Sequence, residues 1–129
     1  MAFDTPEPSQ VNGLNEYIVD PLFTIGETID QETPEPEDDY TPPGIPDGMG
    51  AFALDEDTVR LLVNHELNAE DGYAYTLANG TELTGARVSY FDIDSETREI
   101  EEAGLAYDTI INRQGEVVDE ASDLENMGI

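Results

Sequence analysis

Three consecutive polar residues, Asn64, His65 and Glu66, are the side chains in this sequence best suited to chemistry. They directly follow the apolar run at 61–63, and such a continuous run is typical of a strand buried on both faces. Ending a buried strand in polar side chains costs free energy unless those side chains have partners. A metal ion bound by the Glu66 carboxylate would be such a partner, and a strand end is a rigid platform for it. The alternative is that the three residues cap the strand and face water.

The segment before this triplet is predicted to form a β-hairpin. Gly50–Leu54 and Thr58–Asn64 are strand candidates, and the short acidic loop Asp55–Asp57 joins them. Upstream, Pro46–Gly48 is predicted to be a turn. Proline fixes φ there, aspartate can hydrogen-bond to the backbone, and glycine accepts a positive φ.

Short strand candidates occur along the rest of the chain. In Arg87–Asp94 the alternation places Ser89, Phe91 and Ile93 on one face. Asn79-Gly80 is a hairpin-turn signal. The remaining candidates are Ile18–Val19 and Leu22–Ile25 on either side of Pro21, an alternating stretch at 73–77, and a last hairpin made by 106–112 and 116–118 around Arg113–Gly115.

The chain is therefore predicted to be all-β, a series of short antiparallel hairpins in a sandwich, a barrel or propeller blades. No long segment carries the 3.6-residue apolar period of an amphipathic helix. The expected organisation is a flexible lead-in at 1–13, a β-rich body at 14–118 that contains an acidic, proline-rich loop at 30–43, and an acidic tail at 119–129.

Charge is the most extreme global property of the sequence. Thirty-one acidic residues accompany only four basic ones, and the formal net charge is −27. The chain lacks the basic patch that nucleic acid or an anionic membrane surface requires, so neither is expected as a partner. Self-repulsion at this charge density destabilises the compact state unless cations screen it. The even spread of acidic residues favours adaptation to high salt; specific binding of many cations is the alternative.

Targeting signals are not evident in the sequence. No apolar run approaches the roughly 18 residues of a membrane-spanning helix, so no membrane span is expected. The first ten residues lack the basic and apolar regions of a signal peptide, which by itself suggests a cytoplasmic protein. The chain contains no cysteine, so its own residues provide neither disulfides nor thiolate metal ligands.

Two motifs at a defined spacing resemble the N-terminal signature of the PhoX-type alkaline phosphatase family. The first is Pro43–Phe52 (PGIPDGMGAF) and the second is Leu61–Glu66 (LLVNHE). Members of that family pair a Pro-Asp-Gly-Met-like turn with a Leu-Val-Asn-His-Glu strand end. The segments Val88–Asp94 and Ala106–Ile111 are similar to the hairpins that follow in the family, so the resemblance covers about residues 16–118.

The resemblance implies a β-propeller that hydrolyses phosphate monoesters, of which this chain would form about two blades as a partial domain. The family uses a cluster of iron and calcium ions, so calcium and iron are the implied cofactors and a small phosphoester is the implied substrate. Glu66 is then the best candidate metal ligand and Asp47 a weaker one. Asn64 and His65 would orient the ligand or line the pocket. The resemblance also suggests an exported or periplasmic protein.

The chain departs from the family pattern because it has no cysteine ligand and is shorter than a complete propeller. It is therefore expected to be the N-terminal portion of a metal-dependent phosphatase, with a metal site that these residues leave incomplete. One alternative is a non-catalytic β-propeller-like domain of a salt-adapted organism that binds calcium or a partner. Another is a salt-adapted structural β-protein in which residues 64–66 only end a strand.

Overall fold

The computed structural model describes residues 2–31 and 38–127, and part of the predicted acidic loop, residues 32–37, lies outside these ranges. The chain forms six strands followed by a 3₁₀ helix at Ala121–Met127. The strands are β1 (Pro46–Ala53), β2 (Thr58–His65), β3 (Tyr75–Thr76), β4 (Glu82–Leu83), β5 (Arg87–Asp94) and β6 (Ile100–Leu105).

The predicted all-β class is confirmed. Four antiparallel strands form a sheet in the order β1-β2-β5-β6, and β3 and β4 pair in a separate ribbon. The part of the chain that the structure describes contains no α-helix, and hence no helix that could cross a membrane. Because β1 and β6 are the outer strands of this sheet and do not close it, the prediction of about two propeller blades is not established.

The predicted hairpin between β1 and β2 is confirmed, with residues 49–53 paired to residues 59–63. Asp55 stabilises its loop, because Oδ1 of this side chain accepts hydrogen bonds from the N–H groups of Asp57 and Thr58, both at 2.9 Å. The same two hydrogen bonds favour the ionised carboxylate and lower the pKa of Asp55. Asp55 therefore has a structural role in this loop as a hydrogen-bond acceptor.

The predicted turn at Pro46–Gly48 is wrong, because these residues belong to β1. Pro46 pairs with His65, and the register shifts between Pro46 and Met49. Edge strands and bulges tolerate proline and glycine, so turn-forming residues are compatible with this strand. The left-handed backbone conformation occurs one residue earlier, at Ile45, with a φ of 53°.

The core is built around Phe91 of β5. Ser89 and Phe91, which the alternation assigned to one face, are both 0% exposed. The ring of Phe91 stacks on Phe23 at a centroid distance of 4.7 Å. The other buried members of the core cluster are Ile29, Val63, Ile100 and Ala103.

The strands predicted on either side of Pro21 are not formed. Ile18 is 86% exposed, so the apolar pair at 18–19 is not an inward-facing strand. Leu22 and Phe23 pack against the core from irregular backbone. Apolar side chains can cover a sheet without pairing to it, and for that reason short apolar runs overpredict strands.

In the second half of the chain, the predicted turns agree with the structure better than the predicted strands do. The Asn79-Gly80 turn between β3 and β4 is confirmed, and Gly80 has the positive φ that it requires, 86°. The last predicted hairpin is reduced to one isolated bridge between Ile111 and Val117, with Gly115 in its turn at a φ of 84°. Turn chemistry is local, whereas strand length depends on the neighbouring strands.

Candidate functional site

The strand end that carries the predicted site is fixed on both sides. His65, the last residue of β2, lies opposite Pro46 on β1 and opposite Arg87 on β5. Glu66 follows β2 directly, and its N–H donates to the Ile45 carbonyl oxygen at 3.0 Å. The backbone around Glu66 is therefore held by the sheet, as a ligand platform requires.

Asp47 and Asn64 lie at this same end of the sheet, and both are exposed, as is Glu66. The Oδ1 atom of Asn64 lies against Gly48, where a Cβ atom would be only 2.5 Å away. A side chain at position 48 would displace this amide, which is the end of a flexible, exposed side chain. Asn64 thus lies beside the bulged start of β1, which carries Asp47.

His65 is buried, and both of its ring nitrogens are engaged. Nδ1 lies 3.0 Å from the Gly44 carbonyl oxygen, and Nε2 lies 2.8 Å from Oγ of Ser89. A carbonyl oxygen can only accept, so Nδ1 carries the proton and Nε2 accepts from the Ser89 hydroxyl. Burial lowers the pKa of His65, and the positive charge of Arg87 lowers it further. A neutral His65 with both nitrogens engaged can orient the chain before Glu66 but offers no free nitrogen to a metal ion.

The hydrogen bonds of His65 continue to Tyr40. The Tyr40 hydroxyl lies 2.6 Å from Oγ of Ser89, and it donates to this atom because Ser89 itself donates to His65. Burial raises the pKa of Tyr40, which keeps the phenol protonated. Sequence reasoning missed this network, although its available signal was Ser89, a polar residue on the same face of β5 as Phe91 and Ile93.

One group of acidic side chains in the described ranges has metal-ligand spacing, and it lies in the tail. Ligand oxygens of Asp119, Glu120 and Asp123 are all within 4.8 Å of one another. Asp123 also accepts hydrogen bonds from the N–H groups of Asp119 and Glu120, at 3.1 and 3.3 Å, so it caps the 3₁₀ helix. Asp47 and Glu66 belong to no such group of three among the residues described.

A cleft of about 1160 Å³ runs beside β6, and sequence reasoning did not predict it. Four tyrosines and one arginine are among its lining residues: Tyr40, Tyr73, Tyr75, Tyr90 and Arg87. Arg87 is 5% exposed, and its guanidinium carbon lies 4.4 Å from the centroid of the Tyr75 ring. The cleft therefore combines a cation with aromatic surface at the end of β5 that faces His65.

Comparison with known proteins identifies one family. The family model described as alkaline phosphatase PhoX matches residues 8–125, which is most of the chain. The curated proteins and the solved structures contain no match. The expected resemblance is thereby confirmed at the level of the family, and the alternative of a non-catalytic calcium- or partner-binding domain is not favoured.

Proposed function

This chain belongs to the PhoX alkaline phosphatase family, and we propose that it forms all or part of a metal-dependent phosphatase that hydrolyses phosphate monoesters. The observation that carries this proposal is the family match over residues 8–125. The rigid, carboxylate-bearing end of the β1–β2 hairpin supports it, because a metal site needs acidic ligands on fixed backbone.

In this proposal Glu66 and Asp47 hold metal. Their donors are carboxylate oxygens, which suit a hard cation such as calcium. Two carboxylates provide only part of the six to eight oxygens that calcium takes, so further ligands must complete the site. Iron is proposed only because the chain belongs to this family. Its usual nitrogen and sulfur ligands are not on offer here, because both His65 ring nitrogens are hydrogen-bonded and the chain has no cysteine.

The neighbouring residues would keep these ligands in place. Neutral His65 fixes the backbone before Glu66 through Gly44 and Ser89, at 3.0 and 2.8 Å. Asn64 lies against Gly48 in the bulged start of β1, next to Asp47, and would limit the movement of that segment. Both are positioning residues in this proposal, because they act on the ligands through the backbone.

Electrostatics gives a physical reason for metal dependence. A chain with a formal net charge of −27 repels a phosphate dianion. Bound cations would reverse the sign of the field locally and polarise the phosphoryl oxygens when present. Metal held by such an acidic phosphatase would therefore offset the repulsion at the reacting phosphoryl group and activate that group.

The test is release of inorganic phosphate by the protein that carries this sequence, assayed with a phosphate monoester and a phosphate diester. We expect turnover of the monoester that is lost after treatment with a chelator and restored by calcium and iron. Hydrolysis that persists in chelator would contradict metal dependence. Calcium binding without any hydrolysis would contradict the phosphatase assignment.

A further inference from the structure

In the part of the chain that the structure describes, Arg87 is held in the cleft by backbone carbonyls and an aromatic ring, and not by a carboxylate. Its Nε donates to the Gly85 carbonyl oxygen at 3.1 Å and its Nη2 donates to the Tyr73 carbonyl oxygen. Its guanidinium stacks on Tyr75, whose ring is in turn met edge-on by Tyr107 at 6.4 Å. These neighbours are all formally neutral, so they orient the positive charge of Arg87 without cancelling it.

This arrangement differs from that of other arginines in the chain. Arg60 forms a salt bridge with Asp92 at 2.7 Å, and Arg98 forms one with Asp20 at 3.3 Å. None of the carboxylates in residues 2–31 and 38–127 forms an ion pair with Arg87. A buried charge is costly without a counter-charge. No carboxylate of the described residues cancels this charge, so Arg87 can receive an external anion.

Tyr73 adds an aromatic surface beside this cation. It lines the cleft and is 53% exposed, so much of its side chain is open to solvent. Only its backbone carbonyl holds Arg87, which leaves the ring available to another planar group. Tyrosine rings stack on planar ligands, and a guanidinium has five N–H donors, so three N–H groups of Arg87 beyond those on the two carbonyls can donate to a phosphate.

We propose that this cleft binds a phosphate monoester whose alcohol part contains a planar ring, with the phosphate on Arg87 and the ring on Tyr73. The inference rests on the proposed function for the phosphate ester as ligand class, and it adds a substrate preference for ring-bearing esters. Arg87 lies opposite His65, so the cleft adjoins the strand end that carries Glu66.

The rim of the cleft also restricts the ligand. Asp38, Asp39, Glu101 and Glu102 line it, and all are more exposed than Arg87. Their repulsion acts at long range and is screened by salt, whereas the contact with a nearly buried guanidinium is screened much less. A small ester can reach Arg87 under these conditions, while a polyanion would place further phosphates against the acidic rim.

The first test uses the unaltered protein at pH 6.5 in high salt, without added metal, and phenylphosphonate as a ligand that cannot be hydrolysed. The chain has four basic residues, all arginines, so the side-chain Nε–H signals in a nitrogen-15 NMR spectrum are few. We expect a saturable shift of the Arg87 signal. Absence of a shift, or equal shifts of all four signals, would overturn the proposal.

Variants then separate the two contacts. Arg87→Gln should weaken phenylphosphonate binding by about tenfold or more, whereas Arg98→Gln, which removes the same charge outside the cleft, should not.

Tyr73→Ala removes the ring but keeps the backbone carbonyl that holds Arg87. It should therefore abolish the preference for phenylphosphonate over methylphosphonate without displacing Arg87. Tyr17→Ala, at a residue 78% exposed elsewhere, is its control. If Tyr73→Ala keeps that preference, the ring subsite is excluded.

These measurements need neither metal nor turnover. A protein that binds phenylphosphonate at Arg87 but fails to release phosphate contradicts the proposed enzyme and supports the cleft. A protein that hydrolyses monoesters but shows no Arg87 shift supports the enzyme and contradicts the cleft. The two proposals can therefore fail independently.

Discussion

His65 of β2 and Ser89 of β5 are joined by a buried hydrogen bond of 2.8 Å between Nε2 and Oγ. The two residues lie on adjacent strands, although their backbones are not direct partners, since His65 is opposite Arg87. Tyr40 makes a further hydrogen bond of 2.6 Å to Ser89, so three buried or half-buried polar side chains link Tyr40 to β5 and β2. This hydrogen-bonded group lies between the strand end that carries Glu66 and the cleft that contains Arg87.

Stability should fall as the single histidine becomes protonated. The pKa of His65 is lowered from 6.5 by burial, so the unfolded chain binds the proton more readily than the folded one. The resulting stability is complete above pH 6.5 and is lost as pH falls from there through the folded-state pKa. Chemical denaturation between pH 7.5 and 5 should show this loss, before most carboxylates titrate near pH 4.

The matched variant for this prediction is His65→Asn. It should be less stable than the unaltered chain at pH 7.5 and nearly independent of pH over the same interval. Arg98→Gln serves as the control, because it changes an exposed charge away from His65. An unchanged pH dependence in His65→Asn would show that another group causes it.

Phe91 should contribute more to stability than any exposed aromatic residue. It is 0% exposed and stacks on Phe23, so Phe91→Ala leaves a cavity and removes a ring pair. The expected loss is about 3–5 kcal/mol, a large part of the total stability of a domain. Phe52→Ala, at a residue 49% exposed, should cost far less in the same denaturation measurement. Equal losses would contradict a core centred on Phe91.

Local patterns predicted the parts of the fold that depend on local chemistry. The β1–β2 hairpin and the span of β5 were predicted because alternation and loop residues specify them directly. Pro46–Gly48 was assigned to a turn because its composition permits a turn, and the edge position that also permits a bulged strand is a property of the whole sheet. Ile18 was assigned to a strand because apolar residues alone do not reveal whether a partner strand exists.

The candidate site was only partly accessible to the same reasoning. Residues 64–66 stand out in the sequence because polar residues end an apolar run. The cleft could not be predicted from local patterns. It depends on the contact between the Arg87 guanidinium and the Tyr73 carbonyl oxygen, and these residues are 14 positions apart in the sequence. Such contacts follow from register and loop path, which no local pattern encodes.

Glu66 should be essential to the phosphatase if it binds metal. We expect Glu66→Gln to lower monoester hydrolysis by more than about 100-fold, because even outer-shell changes cost about 10–100-fold. Asp47→Asn should have a smaller effect of the same kind. Metal content measured by atomic emission should fall in both variants. Glu70→Gln, at an exposed acidic position nearby in sequence, is the control and should leave both quantities unchanged. Full activity of Glu66→Gln would exclude Glu66 as a ligand.

The outer edge of β1 should promote association. All eight residues of β1 are exposed, and among the strands of the described ranges β1 pairs with β2 alone. The edge of β6 is instead covered, because Gln31 hydrogen-bonds to both backbone groups of Ala103, at 2.9 and 3.4 Å. Pro46, Asp47 and the register shift protect the start of β1, but residues 49–53 are an open edge, which is a template for strand pairing.

Association through β1 can be measured by sedimentation velocity over a range of concentrations in high salt, where repulsion between chains is screened. Phe52→Lys places a charge on the edge and should reduce the associated fraction. Tyr17→Lys adds the same charge at another exposed aromatic residue and should not. Equal behaviour of the two variants would show that association does not use β1.

Salt should stabilise the folded chain. The net charge of −27 on 129 residues makes repulsion between carboxylates a long-range cost of folding. Raising ionic strength from 0.1 to 1 M shortens the Debye length from about 10 Å to about 3 Å, which removes most of that repulsion. The melting temperature should therefore rise with KCl over this interval.

A variant in which the exposed residues Glu7, Glu56, Glu70 and Glu96 are glutamines should have a higher melting temperature in low salt and a weaker dependence of that temperature on salt. A melting temperature that stays flat or falls with KCl would contradict adaptation to high salt, and an unchanged slope in the glutamine variant would assign the effect to burial of apolar surface instead.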